Sequence, residues 1–79
     1  MNEQKIKSDE NISIGKNIRD IRKLRGIGQT ELVRILQLDG VEITRESLVK
    51  IERGIQHIYA SQLRAIKKAL DTTYDELLK

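Results

Sequence analysis

The sequence of 79 residues has no cysteine and no proline, and it holds one histidine and two aromatic side chains, both tyrosines. Without cysteine the chain can form neither disulfides nor thiolate metal sites. The lone imidazole of His57 cannot hold zinc in the usual way and leaves few options for general-base chemistry. The clustered carboxylates Asp71, Asp75 and Glu76 flank a predicted helix start, where they have an ordinary role against the helix dipole. We therefore expect no enzymatic activity, no metal and no cofactor.

Long apolar runs are also missing, because no stretch approaches the roughly 20 residues that cross a bilayer. The first 13 residues mix both signs of charge and are not a signal peptide. We therefore expect a soluble chain that has no membrane partner and stays in the compartment where it is made. The absence of cysteine fits a reducing compartment. The net charge of +3 permits a polyanionic partner without requiring one.

Residues 1–12 differ in composition from the rest of the chain. Their charged side chains are Glu3, Lys5, Lys7, Asp9 and Glu10. A basic DNA-binding arm is expected to be richer in lysine and arginine, so a flexible N-terminal leader is the favoured interpretation. Residues 13–79 are then a single domain.

Apolar residues recur at helical spacing through this domain, and most of its residues favour helices. The pattern predicts an all-α fold with five helices, over residues 14–25, 29–38, 45–53, 60–70 and 74–78. In the first helix the apolar stripe comprises Ile14, Ile18, Ile21 and Leu24. The expected N-caps are Ser13, Gly28, Thr44 and Thr73, the last in a capping box with Glu76. Gly26 and Gly54 are expected to end the first and third helices, and Asp39-Gly40 indicates a turn.

The second and third helices have the arrangement of a helix-turn-helix pair, in which the second member lies in the major groove of DNA. Leu48 and Ile51 face inward in the third helix. Its outward positions are Thr44, Arg45, Glu46, Ser47, Val49 and Lys50. Arginine can donate two hydrogen bonds to guanine, glutamate can accept from cytosine, and lysine can contact guanine or phosphate. These charges could equally be a solvated helix face, because most exposed helical charges are.

Contacts to the DNA backbone are expected at two places. The free N–H groups and the dipole at the start of the second helix favour a phosphate, and Gln29 could hydrogen-bond one there. Arg53, Gln56 and His57 follow the third helix, where a loop would run along the DNA backbone.

Four segments together resemble the phage repressor and Cro type of helix-turn-helix protein, also called the XRE family. They are IGKNIRDIRKLRGIGQTEL from residue 14, TRESLVKIERG from residue 44, LRAIKKAL from residue 63 and YDELL from residue 74. The resemblance implies a cytoplasmic transcriptional regulator that binds a two-fold symmetric DNA operator as a homodimer, with dimerisation that DNA can assist.

The resemblance also assigns roles to individual residues. It implies that Gln29 contacts the DNA backbone, that Arg45, Glu46 and Lys50 contact bases, and that Thr44 and Ser47 lie near phosphate. It further implies that Arg22 and Glu52 form a structural ion pair, which fixes geometry more surely than it adds stability.

The chain departs from the usual pattern of this family between the second and third helices. Gln29 and Thr44 are 15 positions apart, several more than is usual, and the extra residues lie within 37–43. Either the turn is longer or the second helix gains a turn, as in a subtype of the family. The tilt of the third helix in the groove is therefore left open.

A protein-binding adaptor or an antitoxin on the same fold is the alternative function. It is suggested by four apolar residues whose burial the sequence does not decide, Ile55, Ile58, Tyr59 and Tyr74. Packing on the core or a homodimer contact would also explain them.

Overall fold

Five helices and a two-stranded sheet make up the computed structural model, which describes residues 4–6 and 13–79. The elements are β1 (Lys5–Ile6), α1 (Ile14–Leu24), α2 (Gln29–Leu38), α3 (Arg45–Glu52), β2 (Ile58–Tyr59), α4 (Ala60–Ala69) and α5 (Tyr74–Leu77). The expectation of a small, mainly helical domain is confirmed, and each helix begins where the sequence predicts. No helix in these ranges is long and apolar enough to cross a membrane.

A single apolar core lies between the helices, with α1 packed on α3 and α5, and α2 packed on α3 and α4. The fully enclosed side chains come from every helix and from β2. They are Ile14, Ile18, Leu32, Leu36, Leu48, Ile58, Ile66, Leu70 and Leu77. The inward positions predicted for α3, Leu48 and Ile51, are therefore confirmed.

The predicted apolar stripe of α1 is wrong at one position, because Leu24 is 78% exposed. About 100° of rotation per residue brings residue 25, rather than residue 24, back over the line of Ile14 and Ile18. Arg25 occupies that line, and its guanidinium donates to the carbonyl oxygens of Leu70 and Asp71 at 2.9 and 3.0 Å. The polar contact between Arg25 and the end of α4 thus replaces the fourth apolar contact that was predicted for α1.

The helix ends largely follow the predicted capping residues. Gly26 and Gly54 have φ of +71° and +77° and follow α1 and α3 in the left-handed conformation that favours glycine. Thr44 and Thr73 accept hydrogen bonds from backbone N–H groups of the following turns. Ser13 precedes α1 without a side-chain capping bond.

The small sheet was not expected from the sequence. Lys5 pairs with Tyr59 and Ile6 with Ile58 in antiparallel register, and Ile6 packs partly buried against the core. The sequence placed both β1 residues in a flexible leader, whereas the structure ties them to β2. Residues 1–3 and 7–12 of that leader lie outside the described residues.

One glycine brings two helices into direct backbone contact. A Cβ atom at Gly15 would overlap the carbonyl oxygen of Ile51 and lie 3.0 Å from the Cα of Glu52. The first turn of α1 therefore rests on the last turn of α3 with no room for a side chain. This contact fixes how close α3 lies to the rest of the domain.

Replacing Gly15 with alanine is expected to destabilise the fold, although the same change in an open helix stabilises it by about 0.5–1 kcal/mol. The added methyl must push α1 away from α3, and overpacking of this kind costs about 1–3 kcal/mol. Urea unfolding measures the effect. Gly28→Ser is the matched control, because a Cβ there meets nothing within 4 Å and serine is a good N-cap. Equal stability of the two variants would contradict the close contact.

Candidate nucleic-acid interface

The start of α3 is set by its N-cap. The Thr44 hydroxyl accepts a hydrogen bond from the Ser47 N–H at 3.0 Å, and the Thr44 carbonyl accepts from the Leu48 N–H at 3.0 Å. Ile43, just before the cap, is buried in the same core as Leu48. The predicted start of the third helix is therefore confirmed by its cap and by its packing.

The two sides of α3 have opposite character. Leu48, Ile51 and Glu52 are buried on the inner side. Thr44, Arg45, Glu46 and Lys50 are exposed, and Ser47 is half-buried. We call these last five residues the outer face. Arg53, which follows the helix, is also exposed and continues the i, i+3, i+4, i+7 stripe that begins at Glu46.

Two members of the outer face contact each other. Lys50 Nζ lies 3.6 Å from Glu46 Oε1, one helical turn away, and both side chains are well exposed. An exposed pair of this type is worth only about 0.3–0.5 kcal/mol. Both groups can therefore exchange this contact for another partner at little cost.

The buried end of α3 is held by an ion pair with α1. Arg22 donates through Nε to Glu52 Oε2 at 2.7 Å and through Nη2 to Glu52 Oε1 at 2.9 Å, and the two side chains are 9% and 2% exposed. The hydrogen bonds that Arg22 donates to Glu52 raise the pKa of Arg22 above its ordinary value. A raised pKa means that the charged pair stabilises the folded state. This contribution is fully present at pH values below the ordinary pKa of arginine, so it persists at neutral pH.

Gln29 joins this ion pair from the start of α2. Its Nε2 donates to Glu52 Oε1 at 3.0 Å, so one carboxylate connects α1, α2 and α3. The sequence suggested a DNA contact for Gln29 but not this bond. Since the two residues are 23 positions apart, local periodicity could not indicate it.

The segment after α3 carries three further residues singled out in the sequence. Arg53 and His57 are exposed, and Gln56 is half-buried. They lie on the connection between α3 and β2, beside the end of the outer face.

Of the four apolar residues with undecided burial, Ile58 is enclosed in the core, whereas Ile55, Tyr59 and Tyr74 are exposed.

The connection between α2 and α3 spans residues 39–44 and is bound to its surroundings at several points. The Val41 N–H donates to the Leu36 carbonyl at 3.0 Å. Gln37 Nε2 donates to the Ile43 carbonyl at 2.8 Å, and Gln62 Nε2 donates to the Glu42 carbonyl at 3.1 Å. No sequence pattern indicated this role of Gln62, because its partner is 20 positions away. Of the two possibilities left open, a long turn is the one observed.

No group of three or more histidine or acidic side chains that could hold a metal ion occurs among residues 4–6 and 13–79. No family model, curated protein or solved structure matches this chain. A functional assignment must therefore rest on the residues and their geometry.

Removing Arg22 is expected to destabilise the fold severely. Arg22→Ala leaves the Glu52 carboxylate buried without its cation, and breaking a buried pair in this way costs about 3–5 kcal/mol. Thermal or urea unfolding measures the loss. Lys16→Ala is the matched control on the same helix, because Lys16 pairs with Asp20 at 2.8 Å but both side chains are exposed. Its cost should stay below about 1 kcal/mol, and a similar cost for both variants would refute a structural role for the buried pair.

Proposed function

We propose that this chain is a sequence-specific DNA-binding transcriptional regulator in which α2 and α3 act as a helix-turn-helix pair. The observation that carries the proposal is the contrast within α3. Its inner side is fixed to α1 and α2, while its outer face is polar and, apart from the half-buried Ser47, exposed. The major groove of DNA accepts an α-helix, and the N-terminal residues of such a helix reach base edges.

The outer face offers the chemistry that base recognition needs. The guanidinium of Arg45 can donate two hydrogen bonds to guanine, and the carboxylate of Glu46 can accept one from the amino group of cytosine. Lys50 can contact guanine or phosphate once its weak pair with Glu46 opens. The proposed operator therefore contains G·C pairs opposite the start of α3.

Phosphate contacts would hold the helix in the groove. The hydroxyls of Thr44 and Ser47 lie at the start of α3, and the unbonded N–H groups of the first turn of α2 favour an anion. The side-chain amide of Gln29 donates to Glu52. The backbone N–H of Gln29 is therefore the group that we assign to phosphate. Arg53, Gln56 and His57 would follow the DNA backbone beyond α3.

The resemblance to repressor and Cro proteins supports a cytoplasmic homodimer on a two-fold symmetric operator. In such complexes the two half-sites lie one helical turn of DNA apart, about 34 Å. The protein-binding alternative has less support, because Ile58 is explained by the core and scattered exposed apolar side chains are normal.

Selection of binding sites from random DNA duplexes tests the proposal. We expect a palindromic consensus and two chains bound per selected duplex. Titration at several salt concentrations should give log K that falls linearly with log salt, because phosphate contacts release counterions. No enrichment and no salt dependence would together exclude DNA binding.

Arg45→Ala is expected to weaken binding to the selected duplex by about 1–3 kcal/mol and to relax the preference at one base pair of each half-site. Repeating the selection with the variant measures both effects. Arg64→Ala is the matched control, because it removes the same exposed charge from α4, a helix that packs on α2 and β2. If the two variants lose affinity equally and keep the same consensus, Arg45 does not contact a base.

A further inference from the structure

The buried side chain of Gln62 connects the segments that precede and follow α3. Gln62 belongs to the first turn of α4 and is 7% exposed. Its Oε1 accepts from the Tyr59 N–H at 2.9 Å, and its Nε2 donates to the Glu42 carbonyl at 3.1 Å. One amide group therefore joins β2 to the connection that leads into α3.

Gln37 makes a similar contact one residue further along that connection. Its amide donates to the carbonyl of Ile43, next to the Thr44 cap. The carbonyls of the two residues before the Thr44 cap are thus held by side chains from two different helices, α2 and α4. We call the two contacts, Gln37 to Ile43 and Gln62 to Glu42, the amide brace.

The amide brace acts on the end of α3 that the buried ion pair does not reach. The last turn of α3 is fixed by Gly15 and by Glu52. The first turn follows a six-residue connection, whose ordering costs conformational entropy and needs contacts that offset it. Ile43 and Leu48 also pack this first turn against the core, but apolar packing is non-directional. The hydrogen bonds of the brace add directional contacts, which fix the tilt of the helix.

We infer that Gln62 is a positioning residue that sets the tilt of α3 and, through it, the DNA sequence specificity of the outer face. This inference rests on the proposed function. Loss of the brace displaces the first turn of α3 most, so it affects Arg45 and Glu46 more than Arg53. Contacts with phosphate are sequence-independent and tolerate small displacements, so their number stays nearly the same.

Two variants separate the brace from simple capping of α4. Gln62→Glu keeps an oxygen that accepts from the Tyr59 N–H, and its negative charge suits the first turn of a helix. It replaces the amide donor with an oxygen that faces the Glu42 carbonyl, so the Gln62 contact of the brace is lost while the Gln37 contact and the bond to Tyr59 remain. Gln62→Met loses both bonds. Ile66→Val is the matched control, because it removes one buried methylene from the same helix and leaves both hydrogen bonds of Gln62 in place.

The first measurement is native-state hydrogen exchange of the full chain without DNA. We expect the amides of Ser47 and Leu48 to exchange about tenfold faster in both Gln62 variants, as the loss of one hydrogen bond implies. The Arg53 amide at the other end of α3 should change much less. In Ile66→Val these amides should keep their relative rates. Wild-type exchange of Ser47 and Leu48 in Gln62→Glu overturns the brace and leaves Gln62 as a helix cap.

The second measurement compares binding to the selected duplex and to a scrambled duplex of equal length. For both Gln62 variants we expect the affinity ratio to fall about tenfold, while the salt dependence stays that of the wild type. An unchanged ratio overturns the role in specificity. If the wild type itself does not discriminate between duplexes, the proposed function fails together with that role, and hydrogen exchange alone decides whether the brace exists.

Discussion

The contact between the first turns of α1 and the last turn of α3 is the constraint on which the rest of the domain depends. At Gly15 the two backbones meet without an intervening side chain. Two turns further along α1, Arg22 donates two hydrogen bonds to Glu52, and Gln29 adds a third from the start of α2. A buried ion pair contributes little net stability but holds a defined geometry. In this chain that geometry is the relative placement of three helices.

The outer face of α3 follows from this arrangement. Because Leu48, Ile51 and Glu52 are the buried residues of α3, Arg45, Glu46 and Lys50 on the opposite side stay exposed and can carry polar chemistry. The weak pair between Glu46 and Lys50 is consistent with this freedom. A recognition surface requires exposed polar groups on a backbone that is already in place. Ordering the backbone during binding would cost free energy, and a helix fixed to the core avoids that cost.

Much of the fold could be predicted because its signals are local. Helix ends depend on the conformation and the nearest hydrogen bonds of single residues, here Thr44, Gly26 and Gly54. The limits of α1 and α3 could therefore be predicted from the sequence. The prediction for Leu24 was wrong because its spacing fits the apolar stripe of α1, whereas the residue that lies on that line in the structure is the polar Arg25. The pairing of Lys5–Ile6 with β2 escaped prediction because two residues are too few to show strand periodicity.

The candidate site divides in the same way. The exposed position of Arg45, Glu46 and Lys50 on α3 could be predicted, because the spacing of apolar residues along one helix indicates which side is buried. The bond from Gln29 to Glu52 and the bonds of Gln62 join residues that are distant along the chain. A polar residue that is buried for a long-range hydrogen bond looks in sequence like an ordinary surface glutamine, so only the folded arrangement identifies it.

The most direct test of the central claim is an NMR titration of the isotope-labelled chain with the selected duplex. We predict the largest amide shifts at residues 44–50 and in the first turn of α2, with smaller shifts over residues 53–57. The amides of α4 and α5 should shift less than those of α3. Shifts concentrated on α4 and α5, with α3 unaffected, would contradict the assignment of α3 as the helix that contacts DNA.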